Sequence, residues 1–192
     1  MCINAETSLL SFLIGEMSGL VLLTKDVEHQ MIGLFVMFYS LVQFFEFNIY
    51  NGNKVEMNSR LLLLNLGFQG LVFFILINQI CEINKFYIFI SVIIVFLILM
   101  EAFSDNFNSV SIETCAKWNF MNNHLSSILT IMYGMMFYWF YISNSCNLDF
   151  INKTGYFFSG TLVLSFIISQ QPNNPSFWCL SSALLAPLLL LL

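Results

Sequence analysis

Seven apolar stretches, each close to the length of a membrane crossing and set apart by polar connections, dominate what this chain can fold into. A helix needs roughly 20 apolar residues to cross about 30 Å of hydrocarbon. The stretches cover residues 7–24, 31–50, 61–83, 86–103, 124–143, 154–171 and 176–192. Between them lie Lys25-Asp26-Val27-Glu28-His29, Asn51-Gly52-Asn53-Lys54 and Asn84-Lys85, then residues 104–123 and 144–153. The last connection is Pro172-Asn173-Asn174-Pro175, where proline ends one helix and pre-sets the start of the next.

The expected fold is therefore all-α: a single seven-transmembrane-helix bundle over residues 1–192, multi-pass, with the lipid bilayer as its main partner. Charge supports this. Only 9% of the 192 residues are charged, against about 25% in an ordinary soluble domain, so lipid must replace the missing polar surface. A buried soluble bundle is the alternative, and residues 86–100 argue against it, because Ser91 is their only polar side chain outside the aromatic rings. Six helices with a re-entrant or interfacial segment is the alternative count. The 154–171 stretch is rich in Ser, Thr and Gly, and the last stretch lacks a polar cap.

Orientation is undecided by charge. Lys54, Arg60 and Lys117 fall on one side and Lys25, Lys85 and Lys153 on the other, so the positive-inside rule is balanced three to three. Glu6 is the one charge ahead of the first stretch, which is expected to stay as a helix and not to be cleaved as a signal peptide. A net charge of −5 with no Lys/Arg cluster argues against nucleic acid as a partner. No internal repeat signals an inverted-repeat transporter.

Alternating direction turns position along each span into depth. With the N-terminus on side A, Glu46, Glu101, Asn65, Gln69, Ser126, Thr130, Ser169, Trp178 and Cys179 all map toward side A. Tyr39, Gln43, Glu46 and Tyr50 recur at i, i+4, i+7, i+11, one stripe of a helix. Its opposite face is expected to be Phe38, Leu41, Val42, Phe44 and Phe45. Asn65/Gln69, Ser126/Thr130 and Thr161/Ser165/Ser169 form similar stripes. Such stripes must face other helices or water, since an unpaired polar group in hydrocarbon costs several kcal/mol.

Intramembrane carboxyls are functional candidates by default. Glu46 leads, with Gln43 beside it, followed by Glu16 and Glu101. Glu16 sits near the midplane, where a charge costs about 2.5–3.5 kcal/mol. Its apolar neighbours, at roughly −0.5 kcal/mol each, outweigh that cost, and the carboxyl is expected neutral or paired. Glu16 also lies inside Gly15-Glu16-Met17-Ser18-Gly19, a G-x-x-x-G motif. Small residues at this spacing admit close helix approach, within the chain or across a dimer.

The five cysteines form no C-x-x-C pair. Cys2, Cys115 and Cys179 map to side A, and Cys81 and Cys146 to side B. A Cys2–Cys115 bridge is the candidate if side A is oxidising; free thiols are the alternative. The sequon Asn152-Lys153-Thr154 abuts a span too closely for modification to be expected.

The opening Met1-Cys2-Ile3-Asn4-Ala5-Glu6-Thr7-Ser8 resembles the M-C-x-S-A-x-x-S start of a family of short multi-span membrane proteins found in bacteria, protists and large DNA viruses. Gln43-Phe44-Phe45-Glu46 looks like its Q-x-x-E in the second helix, and Ser176-Phe177-Trp178-Cys179 like its S-x-W-C opening the last. Asn4 departs from the usual Ser. The resemblance implies a seven-helix fold and marks Cys2, Ala5, Gln43, Glu46, Trp178 and Cys179, but implies no activity. The composition suits a viral member, in a virion or host-cell membrane.

Several chemistries are excluded. No embedded Lys can form a retinal Schiff base, no Arg-rich helix senses voltage, and no T-V-G-Y-G filter is present. With His29 and His124 as the only histidines, a His-based metal site is poorly supplied. G-x-S-x-G and H-E-x-x-H are absent. No cofactor is expected. Two main readings remain: a small transporter or channel-like protein whose carboxyls and amides bind a proton, a cation or a small polar solute, and a non-catalytic membrane component whose stripes hold the bundle together. An intramembrane enzyme using Cys or Glu is a distant third.

Overall fold

The computed structural model describes residues 4–112, 116–117, 123–142, 150, 153–158, 160 and 185–191. Five α-helices of 18 residues or more lie among them: α1 (Ala5–Leu22), α2 (Val27–Tyr50), α3 (Val55–Ile77), α4 (Lys85–Ala102) and α5 (Asn123–Ile142). A two-residue antiparallel ladder, β1 (Ser111–Ile112) with β2 (Ala116–Lys117), precedes α5, and a 3-10 helix covers Ala186–Leu191. Helices α1 to α4 are each long and apolar enough to cross a membrane.

Short polar residues set the helix starts. The Asn4 side chain accepts from the Thr7 amide at 2.8 Å, and that of Asn84 from the Phe86 amide at 2.9 Å. Asp26 accepts from the His29 amide at 3.2 Å and lies 2.7 Å from the His29 ring. Each oxygen meets an amide that the helix itself cannot serve. The hydrogen bond from the His29 side chain, and then that from its backbone, hold the Asp26 carboxyl below the usual range. Helix α3 begins differently. Gly52 and Lys54 both take positive φ, 71° and 41°, a turn that glycine makes without cost.

Helices α1 and α4 turn large apolar side chains outward, the reverse of a soluble protein. On α1 the buried residues are Ser8, Ser11, Gly15, Ser18, Gly19 and Leu22. Its exposed ones include Leu10, Leu13, Met17 and Leu20, with Met17 61% exposed. On α4, Ser91 is fully buried while Phe89, Phe96 and Met100 are each at least 60% exposed. Water would reverse this arrangement, since burying a large apolar side chain gains about 1.5–3 kcal/mol. Hydrocarbon does not penalise apolar exposure, and small residues then go where helices touch.

Consecutive helices run antiparallel. Glu16 of α1 meets Ser40 of α2, and Gly19 lies against Gly33 and Met37. Asn65 of α3 reaches Phe38 of α2, and Phe73 packs on Phe35. Arg60, Gly67 and Phe74 of α3 meet Ala102, Ile98 and Tyr87 of α4 in that order. At the side A end the Val110 amide donates to Ser59 at 3.0 Å, which holds the β ladder there. Asn123 lies six residues after Lys117, a reach of at most about 21 Å. Tyr133 is level with Gln69, so a reversed α5 would put Asn123 about 30 Å from Ser59 along α3. Helix α5 therefore runs from A to B.

Three sequence expectations shift. The third span, expected at 61–83, is helical from Val55 to Ile77. Its charged first turn is held in place: Arg60 pairs with Glu56 at 2.8 Å, donates to the Ala102 carbonyl at the end of α4, and lies 4.7 Å over the Phe107 ring. Val42, expected on the outer face of α2, is fully buried because α1 and α3 flank that helix. Residues 186–191, expected as α-helix, form a 3-10 helix; Pro187 lacks the amide that an α-turn requires.

A Cβ on Gly19 would lie 2.8 Å from the Gly33 carbonyl and collide with Met37, whereas one on Gly134 would meet nothing within 4 Å. Thermal unfolding in detergent should show Gly19→Val destabilised by about 1–3 kcal/mol, with Gly134→Ala unchanged or slightly stabilised. Equal melting points for wild type and Gly19→Val would contradict this packing.

Candidate functional site

The polar side chains of α1, α2, α3 and α5 gather in the bundle interior, and α2 carries the centre. On its stripe, Tyr39, Gln43 and Glu46 are 2%, 0% and 1% exposed. Ser40, a third of a turn away, is also fully buried and faces α1. The period that sets Gln43 four residues after Tyr39 and three before Glu46 places all three on one helix face.

Two hydrogen-bonded groups flank this stripe. Toward α1, the Ser40 hydroxyl donates to Glu16 Oε1 at 2.7 Å and also lies 2.9 Å from the Met37 carbonyl. Toward α3 a relay runs through three helices. The Tyr133 hydroxyl of α5 donates to Gln69 Oε1 at 2.6 Å, Gln69 Nε2 donates to Asn65 Oδ1 at 3.1 Å, and Asn65 Nδ2 donates to the Phe38 carbonyl at 3.0 Å. Each amide in the relay uses both its ends, as a buried amide must.

Gln43 differs. Neither its Oε1 nor its Nε2 has a hydrogen-bond partner among the described residues, and solvent reaches neither atom. Ser8 Oγ is the other case among the hydroxyls of α1. A buried amide left unpaired costs about 1–3 kcal/mol, so Gln43 is a stored cost in this sealed arrangement.

Of the sequence candidates, Gln43 and Glu46 share a buried face of α2, Glu16 is bonded to Ser40 of that helix, and Asn65 and Gln69 are bonded to each other and, through Asn65, to the Phe38 carbonyl. Glu101 is half-buried in the last turn of α4, beside the Ala102 carbonyl that Arg60 engages, at the membrane edge and not on the α2 stripe. Gly15 and Gly19 are both buried, and Gly19 packs within the chain against Gly33 and Met37 of α2. Cys2, Cys115, Trp178 and Cys179 lie outside the described residues, as do the side chains of Ser126 and Thr130 and the stripe at 161–169. Cys81 is disulfide-bonded, a feature the sequence reading assigned no role.

Three contributors were missed from sequence. Tyr133 continues the Ser126/Thr130 stripe at i+7 and i+3, a signal that was there to read. Ser40 lies off the α2 stripe and is found only through its α1 neighbour. Arg60 sat at the edge of a span whose start was placed six residues late. Among the described residues no group of three His, Cys, Asp or Glu is arranged to hold a metal ion.

Compared with protein-family models, curated proteins and solved structures, the chain has no match.

If Gln43 is unpaired as described, an apolar side chain of similar length removes a cost and not a contact. Gln43→Met should raise the unfolding free energy in detergent by about 1–3 kcal/mol. A clear loss of stability would mean that the amide is structurally engaged.

Proposed function

We propose that the chain is a seven-crossing membrane protein acting as a small transporter or channel-like protein. Its occluded polar pocket is centred on Gln43 and Glu46, with Glu16 beside them, and takes a proton, a cation or a small polar solute. The observation that carries this reading is the sealed, unpaired carboxamide of Gln43. A group held unsatisfied in the resting fold gains a partner when a solute enters or the pocket hydrates. Glu16 adds to it. The Ser40 hydroxyl has one proton for two close acceptors, and a proton carried by Glu16 supplies the second bond. The pair Gln43/Glu46 is also the Q-x-x-E of the family that the sequence resembles.

Seven crossings are supported by four contacts beyond α5. Phe150 stacks on His29 with ring centroids 3.8 Å apart, and Phe158 packs on Phe35 and Tyr39 at 5.7 and 5.8 Å. That segment therefore rises alongside α2 from side B toward side A. The Lys25 side chain, between α1 and α2, donates to the Leu190 carbonyl at 3.0 Å, which returns the chain to side B. A start on A and a return to B fit an odd number of crossings.

The second reading, a non-catalytic membrane component of a virion or host-cell membrane, draws on the fully paired Tyr133–Gln69–Asn65 relay, which is what purely structural polar groups would look like. Flux separates the two. Reconstituted wild type should carry a measurable proton, alkali-cation or small-solute flux. Glu46→Gln, which keeps size and hydrogen bonding but removes ionisation, should lower it about tenfold, the equivalent of about 1.4 kcal/mol. Equal flux in both proteins, or none from wild type under any of these gradients, would overturn transport.

A further inference from the structure

We infer that side B of the membrane is the oxidising side, fixed there by a disulfide between Cys81 and Cys146, and that the polar pocket is therefore offset toward the reducing side. The bridge does not depend on the transport reading; the statement about the pocket does.

Cys81 is disulfide-bonded and 8% exposed, in the connection between α3 and α4. That connection is at side B, the same side as Lys25 and Asp26 between α1 and α2, because α3 runs away from the Ser59–Val110 contact at side A. Residues 59 to 77 of α3 cover about 27 Å, whereas bridged cysteines hold their Cα atoms within about 7 Å.

Of the four other cysteines, two are tied by sequence to the wrong side. Cys2 is two residues before Asn4, the cap of α1 at side A. Cys115 is adjacent to Ala116, whose strand is held near Ser59. Cys179 precedes Leu190 by eleven residues, too far along the chain for that contact to fix its side. Cys146 is four residues past Ile142, the side B end of α5, and four residues reach at most about 14 Å. The connections after α3 and after α5 leave neighbouring helices at one membrane face, so this pair can meet.

In forming the bridge, two Sγ–H bonds break and one Sγ–Sγ bond forms. The two electrons and two protons pass to a disulfide-bearing oxidant, which leaves as a dithiol. Such oxidants act in secretory lumens and the periplasm, and cytosolic thiols stay reduced. Side A, where Glu46 and Gln43 lie nearer the surface, then faces the cytosol. A Cys2–Cys115 bridge is not expected there.

The test uses the full chain in its native membrane. Free thiols are alkylated under denaturing, non-reducing conditions; the bridges are then reduced and the new thiols alkylated with a second, isotopically distinct reagent. The Cys81 and Cys146 peptides should carry the second label, and the Cys2 and Cys115 peptides the first. A membrane-impermeant thiol reagent applied to intact cells should miss Asn53→Cys, in the side A turn, and reach it after permeabilisation. Cys81 carrying the first label, Cys81 linked to a cysteine other than Cys146, or Asn53→Cys labelled in intact cells would each overturn the inference. None of these outcomes bears on flux, so the bridge and the transport reading fail separately.

Discussion

In hydrocarbon there is no water to serve a backbone amide or a polar side chain, so each must find its partner inside the protein. That constraint orders the whole structure. It makes helices the local unit, because a helix satisfies its own backbone. It sends Ser8, Ser11, Ser18, Ser40, Asn65, Gln69 and Ser91 inward, and lets Leu10, Leu13, Met17, Phe89, Phe96 and Met100 stay on the outside. Two of these groups comply in a simple way: Ser18 and Ser91 donate to carbonyls four residues earlier, at 2.8 Å. Asn65, Gln69 and Tyr133 comply by bonding across helices, which also locks α2, α3 and α5 in register.

The same constraint makes Gln43 informative. A polar side chain in a soluble core can draw on a stray water. An amide sealed among helices in a bilayer has only the protein, or whatever enters. The surrounding groups show that this chain is able to pair amides, since Asn65 and Gln69 lie one helix away with every end in use. The exception falls beside Glu46, the most deeply buried carboxyl among the described residues, where a functional reading had the most to predict.

Much of this was legible in the sequence because lipid makes burial simple to read. Charge depletion and span length located α1 to α4, and the spacing of Gln43 and Glu46, and of Asn65 and Gln69, located the interior stripes. What could not be read depended on contacts between distant residues. The start of α3 was misplaced because Glu56 and Arg60 look like loop residues until Ala102 and Phe107 are seen to hold the guanidinium. Val42 looked lipid-facing because a helical wheel does not say how wide an arc the neighbouring helices will cover. Ser40 became part of the site only through Glu16. The 3-10 geometry at Pro187 was a local signal overlooked within an apolar run.

The central claim is that α1 turns its small and polar face inward and its apolar face to lipid. Spin labels placed one at a time along residues 8–20 of α1 in bilayers test it most directly, through collision rates with oxygen, which concentrates in lipid, and with a water-soluble nickel chelate. The account predicts high oxygen accessibility at Leu10, Leu13, Met17 and Leu20, low accessibility to both reagents at Ser11, Gly15 and Ser18, and a period near 3.6 residues. Oxygen accessibility that peaks at Ser11 and Ser18, or nickel accessibility along the Leu10–Met17 face, would contradict it.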